Sequence, residues 1–263
     1  MLMLVLQFIL GLVIGSFLNV VIYRLPIMLE RENLSESSSV FNLCWPPSYC
    51  PHCQQRLRWW HNIPLLSFLL LRGRCYYCDQ AISLRYPLVE LLTGVLTASV
   101  FVCHQIAGLS ALWLSAADLL VWILIAIAVV DWQTRLIPDE LSLLLLWCGL
   151  FYNGVCNLLV TPPAAILGAI LGYLALWALA MIYRVVRRRD GMGYGDFKLL
   201  SALGAWFGVW HLPMILILAS GIALLTVLLR YFLCRRFSMQ QQLPFGPFLA
   251  LAGLAQLLML VMV

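Results

Sequence analysis

Long apolar runs separated by short polar stretches dominate the chain, at residues 2–23, 87–107, 109–130, 141–160, 164–183, 198–210, 212–233 and 244–263. Most approach the ~20 residues that a spanning helix needs. The pattern predicts an all-α polytopic membrane protein of about eight transmembrane helices. The run 198–210 is short and holds Gly204 and Gly208, so it is expected to be a partial or re-entrant span. No Lys or Arg precedes the first run and Arg24 follows it, which predicts a retained helix with its N-terminus outside rather than a secretion signal.

One stretch interrupts the apolar pattern. Residues 24–86 are polar and long enough to form a module outside the bilayer. The expected organisation is a first helix at 1–23, a cytoplasmic loop domain at 24–86, and a seven-helix membrane domain at 87–263. Composition agrees with a membrane protein: 63% of the 263 residues are hydrophobic and 10% charged, with a mean hydropathy of +0.96. A soluble domain carries about 25% charge.

The cations set the orientation. Arg24, Arg31, Arg56, Arg58, Arg72, Arg74 and Arg85 fall in the first loop and Arg135 in the third. Arg184, Arg187, Arg188, Arg189 and Lys198 surround the fifth, and Arg230, Arg235 and Arg236 lie in the seventh. With eight spans the odd loops are cytoplasmic and both termini periplasmic. The net charge of +5 then reflects orientation and calls for no nucleic-acid partner.

Within the polar module stand Cys50-Pro-His-Cys53 and Cys75-Tyr-Tyr-Cys78, with 21 residues between the pairs. Two such knuckles present four thiolates tetrahedrally to Zn²⁺. Disulfides are disfavoured in a cytoplasmic loop. A four-cysteine set leaves no open coordination position, so the zinc is expected to be structural and to fold a ribbon-like insert with little core of its own. Cys44 and His52 are the alternative ligands. Cys103, Cys148, Cys156 and Cys234 lie in or beside apolar runs and read as packing residues.

An acid in or beside a span is a functional candidate by default. Glu30, Glu32, Glu36 and Asp79 belong to the polar module and read as solvated. Asp118 reads as a local hydrogen-bonding residue within the third span. Asp139 reads as the cap of the fourth helix, with Glu140 in its first turn, and Asp190 as a partner for the arginines before it. Asp131 and Asp196 remain, both at the cytoplasmic edge. Gly193 and Gly195 are expected to open unusual backbone conformations beside Asp196 and to allow close approach of a second chain. Two facing carboxylates share a proton, so that one activates a water while the other donates to a scissile carbonyl oxygen.

The motifs GSFLNVVIYRLP at 15–26, the two CxxC pairs, RYPLVELLTG at 85–94, DWQTRLIPD at 131–139, GMGYGDFKLL at 191–200 and PFGPFLALA at 244–252 extend over essentially the whole chain. In that order they resemble the bacterial type IV prepilin leader peptidases, GxGD intramembrane aspartyl proteases that also serve type II secretion. The resemblance implies catalytic roles for Asp131 and Asp196. Some members carry a second acid where this chain has Gln133, so Asp131 stands alone here. Implied substrates are prepilins and pseudopilins in the bilayer of the bacterial inner membrane. Their leaders are cut after a glycine at the cytoplasmic face. Members with the zinc loop also methylate the new N-terminal amine from S-adenosylmethionine, and that second activity is expected here. Glu90 is a candidate to neutralise a substrate amine, or equally a partner for Arg85 or another loop arginine.

Asn19, in GSFLNV, reads as an interhelical hydrogen-bonding residue among small packing residues, or as part of a substrate or cofactor site. Trp59, Trp60, Tyr76 and Tyr77 read as interface anchors. The competing classes are a membrane transporter, whose ionisable groups gather at the midplane with repeat symmetry, and a noncatalytic scaffold of a secretion complex. A presenilin-like protease carries tyrosine where this chain has Val130.

Overall fold

The computed structural model describes residues 1–33, 41–188, 192–234 and 243–262 of the chain. Among them are nine α-helices and no strand, as expected of an all-α membrane protein. They divide into two compact units, Met1–Ala126 and Ile127–Val263. Glu36, Arg189, Asp190, Gly191, Arg235 and Arg236, together with the side chains of Glu32 and Cys234, lie outside the described residues.

The first unit holds α1 (Leu2–Asn33), the short α2 (Leu66–Leu70), α3 (Arg85–Ala107) and the first part of α4 (Ala111–Thr134). Helix α1 runs on past residue 23, through Pro26. Loss of hydropathy marks where a helix leaves lipid; Met28, Leu29, Glu30 and Arg31 remain good helix formers and carry it on. Small residues let α1 and α3 meet closely. A Cβ on Gly11 would lie 2.7 Å from Gly94 Cα, and one on Gly15 2.7 Å from Glu90 Cα. Asn19 Nδ2 donates across to the Tyr86 carbonyl at 3.0 Å, the predicted interhelical bond.

Arg24 does more than mark a membrane boundary. It is 5% exposed, and its guanidinium donates to the carbonyls of Asn42 at 2.9 Å and Pro46 at 2.6 Å. It thereby fastens the polar loop to α1, a use of the charge that hydropathy alone does not reveal.

The second unit holds the end of α4, then α5 (Asp139–Cys156), α6 (Pro162–Arg187), α7 (Tyr194–Phe207), α8 (Leu212–Cys234) and α9 (Gly246–Met262). Every predicted apolar run therefore becomes a helix. Five of the helices, α1, α3, α4, α6 and α8, are long and apolar enough to cross a membrane alone. The count of eight is not reached by that measure, because α5, α7 and α9 fall short. Helix α7, with 14 residues, extends only about 21 Å against a hydrocarbon core of about 30 Å.

Helix α7 is short because it is an internal helix. From Asp196 to Phe207 every side chain except Lys198 is buried. Gly168 of α6 meets the Gly204 carbonyl of α7, a contact in which any Cβ would overlap backbone. Asn153, fully buried in α5, donates to the carbonyls of Ala205 at 2.8 Å and Trp206 at 2.9 Å. Its Oδ1 accepts from Leu159 N–H at 2.9 Å, which turns the chain and stops α5 before the apolar run ends. Trp206 Nε1 returns a bond to the Leu145 carbonyl at 2.8 Å. The Asn153 amide, Trp206 Nε1 and the carbonyls of Leu145, Ala205 and Trp206 thus all have protein partners, as a low-dielectric surrounding demands.

Candidate active site and metal centre

Asp131 lies in the last turn of α4 and Asp196 in the first turn of α7, both within the second unit. They are 4% and 9% exposed, deep for charged side chains. The carboxylates are near enough for the charge of Asp131 to act on Asp196. Their surroundings differ. Asp131 Oδ2 accepts a buried 2.9 Å bond from the backbone N–H of Gly246, the first residue of α9. Among the described residues no donor reaches the Asp196 carboxylate.

Gly246 is a site residue that the motif reading did not single out. Its N–H is one of the free donors at a helix N-terminus, where negative charge is favoured. A Cβ on it would lie 2.6 Å from Asp131 Oδ2 and 3.0 Å from Ile137 Cδ1. The available signal was Gly246-Pro247 at the entrance to an apolar run, a helix-start pattern. Ile137 is the second missed residue. Its side chain also faces Gly195, where a Cβ would come within 2.8 Å. One isoleucine therefore packs both against the glycine that precedes Asp196 and against the glycine that holds Asp131.

The unusual backbone expected of the two glycines is not adopted, whereas close approach of another chain segment is made at Gly195. Gly193 is the residue before α7, at φ −76°, an ordinary extended backbone. Neither it nor Gly195 adopts a positive φ. What Gly195 supplies is close approach to Ile137, and a Cβ on Gly193 would have only Asp196 Oδ2 nearby, at 3.9 Å.

Asp139 is not a cap. Pro138 occupies the cap position and makes no side-chain bond, while both Asp139 oxygens accept from Lys198 Nζ at 2.6 Å. Asp139 is the first residue of α5, and its carboxylate reaches across to α7 instead of back to its own N–H groups. The ion pair ties the start of α5 to α7 two residues after Asp196. A small recess lined by Trp177, Ala180, Met181, Arg184, Met192, Tyr194 and Phe197 opens beside the same turn. Asp118 is 4% exposed, and its Oδ1 has no partner among the described residues, so the expected local hydrogen bond to that oxygen is not made.

In the first unit, the sulfurs of Cys50, Cys53, Cys75 and Cys78 all lie within 4.8 Å of one another. Four sulfurs about 2.3 Å from a tetrahedral zinc would be about 3.8 Å apart, and Cys50 and Cys78 stand at 3.9 Å. The knuckles repeat one local geometry. In each, the N–H four residues after the first cysteine bonds back to that cysteine's carbonyl, Gln54 to Cys50 at 2.8 Å and Asp79 to Cys75 at 3.0 Å. Gln54 and Asp79 both take positive φ, 56° and 55°, an uncommon conformation that closes the turn. Isolated bridges Tyr49–Arg56 and Arg74–Ala81 flank the turns.

Burial opposes ionisation of Cys50, yet the N–H groups of Cys53 and His52 and the adjoining thiols bring it down to about 7. Against the pull of the Gln80 N–H, desolvation and the other three sulfurs push Cys78 up to about 12. Sulfurs this close ionise together only around a cation. The cluster fits a metal ion, and neither Cys44 nor His52 belongs to it. Cys75→Ser is expected to lower bound zinc from about one per chain to near zero, the four-ligand shell being incomplete. Metal analysis of the purified protein checks this, and a wild type free of metal would contradict it.

Glu90 is buried on α3, and its Oε2 accepts from the Leu65 N–H at 2.9 Å.

Known proteins resemble the chain over most of its length. Residues 9–104 match the family model described as the bacterial peptidase A24 N-terminal domain, and residues 119–228 that of the type IV leader peptidase family. A prepilin leader peptidase/N-methyltransferase of Dickeya chrysanthemi is 47% identical over 260 residues, covering 93% of this chain and 88% of the relative. The protein of that name from Aeromonas hydrophila is 47% identical, covering 96% and 89%. The one from Pseudomonas putida is 46% identical, covering 93% and 86%. No solved structure matches the chain.

Proposed function

Because the chain belongs to the type IV leader peptidase family, we propose that it cleaves the leader from prepilins or pseudopilins and N-methylates the new N-terminal residue. The peptidase reading is carried by one observation: two buried carboxylates at the ends of α4 and α7, one of them held by the Gly246 N–H. In the cleavage, Asp131 and Asp196 share one proton. The Gly246 N–H stabilises negative charge on Asp131, which suits it to draw a proton from water as that water attacks the scissile carbonyl. Asp196, which no donor among the described residues reaches, suits the proton-bearing role and gives its proton to the carbonyl oxygen. Asp131 passes the water proton on to the amine nitrogen, and as the tetrahedral carbon collapses to the carboxylic acid and expels the amine, one of its hydroxyls returns a proton to Asp196.

The membrane supplies the remaining conditions. The cations of the odd loops favour the cytoplasmic side of the bacterial inner membrane for both carboxylates, with both termini periplasmic. That is where a basic leader meets an apolar helix. Lys198, paired with Asp139, fixes the turn carrying Asp196. Residues 24–86 act as the metal-binding loop domain and 87–263 as the membrane domain bearing the protease site. Cys50, Cys53, Cys75 and Cys78 would hold zinc, whose closed shell supplies folding energy rather than reactivity. S-adenosylmethionine would supply the methyl group. The family match favours this enzyme over a transporter or an inert scaffold.

The test is incubation of the full chain, in lipid nanodiscs, with a prepilin and methyl-labelled S-adenosylmethionine. The expected product lacks its leader and carries label on its new N-terminus. Cleavage without label would remove the methyl-transfer half, and an intact prepilin would overturn the peptidase half.

A further inference from the structure

Helix α2 lies in the polar loop, yet no residue of Leu66–Leu70 is charged and its outer face is wholly apolar. Leu66, Leu69 and Leu70 are 56%, 69% and 82% exposed. The opposite side is apolar as well: Phe68 lies against Gly73, which takes φ +69° and would meet the Phe68 ring at 2.9 Å with any Cβ. The described residues cover only the Phe68 side of α2, and its three exposed leucines call for apolar surroundings outside the protein.

The depth of α2 follows from one hydrogen bond. Leu65, the residue before α2, donates its N–H to buried Glu90 at 2.9 Å. Glu90 is five residues into α3, which begins at Arg85, so this anchor lies about 7 Å along the helix from the first cation. Amphipathic segments rest with their apolar face about 5–10 Å into the boundary between headgroups and acyl chains. Helix α2 is therefore at the level of the exposed Leu88, Leu91 and Leu92 of α3. These belong to a helix long and apolar enough to span the bilayer.

Charge selects the occupant. Between residues 41 and 84 the chain has four arginines, Arg56, Arg58, Arg72 and Arg74, all exposed, and a single acid, Asp79. Trp59, 75% exposed, stands edge-on to Trp60 just before α2, in keeping with the headgroup-level role expected of these tryptophans. A surface that is apolar at depth and anionic above it is a phospholipid leaflet.

We infer that α2 and the preceding tryptophans are immersed in the leaflet at the Arg85 end of α3, so that the four-cysteine module is seated in an anionic phospholipid surface and does not project freely from it. This inference is independent of the catalytic assignment. It places the module within reach of any substrate segment emerging from the membrane beside α3.

The test uses the full chain in nanodiscs of phosphatidylethanolamine and phosphatidylglycerol. Leu69→p-acetylphenylalanine and, separately, Leu70→p-acetylphenylalanine carry a ketone-reactive nitroxide, which leaves every cysteine untouched. Retained zinc reports an intact module. Collision rates are compared with lipid-soluble oxygen and with a water-soluble nickel chelate. Expected is an oxygen-to-nickel ratio at both positions severalfold above that of the same label at Gln80, and close to that at Leu92. Ready collision with nickel would overturn the inference in favour of an aqueous face. Shielding from both probes would overturn it in favour of a protein partner.

Discussion

Gly246→Ala is expected to lower kcat for prepilin cleavage about 100-fold, the usual cost of displacing a reacting group by about 1 Å, with the protein still present in the membrane at wild-type levels. The added Cβ would lie 2.6 Å from Asp131 Oδ2 and 3.0 Å from Ile137 Cδ1. Both are the far ends of side chains, so the carboxylate rotates away and the helices stay where they are. The same substitution at Gly204 would set a Cβ against the backbone of Gly168, where nothing can rotate, and the expected loss there is of packing between α6 and α7. The two glycines thus separate a defect in chemistry from a defect in folding. Comparing kcat, KM and membrane abundance for Gly246→Ala with wild type checks this. Wild-type kcat would mean that the Gly246 N–H has no part in holding Asp131.

What the sequence made legible was local or repetitive. The apolar runs became α1 and α3 to α9 because a span requires a near-continuous stretch of apolar residues. The cysteine cluster was legible because each knuckle closes within a few residues, and Cys50, Cys53, Cys75 and Cys78 do converge. What remained hidden depends on chain segments far apart. Gly246 meets Asp131 across 115 residues through a backbone N–H, a group every residue but proline carries and no composition reveals. Asp139 bears the marks of a helix cap, yet Lys198, 59 residues later, takes its carboxylate. Arg24 looks like a boundary cation, and its guanidinium instead satisfies loop carbonyls. Length and hydropathy single out five spanning candidates among the described residues, against eight apolar runs. Hydropathy does not distinguish a helix buried in lipid from one buried in protein, and α7 is of the second kind.

The central claim is that Asp131 and Asp196 are the acid and base of one hydrolytic site. An Asp→Asn change keeps the shape of the side chain and removes its ability to take or give a proton. In Asp131→Asn the amide oxygen can still accept from Gly246 N–H, so the start of α9 keeps its partner. Neither variant is therefore expected to unfold, and each removes a step that general acid–base catalysis accelerates by about 10²–10⁴. Since both carboxylates are needed in the same turnover, losing one should cost nearly as much as losing both. The most direct measurement is single-turnover cleavage of a prepilin by wild type, Asp131→Asn, Asp196→Asn and the double variant, each in excess over substrate in nanodiscs. The account predicts rapid cleavage by wild type and a loss of at least about 10³-fold in each single variant, with the double no worse. Near-normal cleavage by either single variant would contradict it.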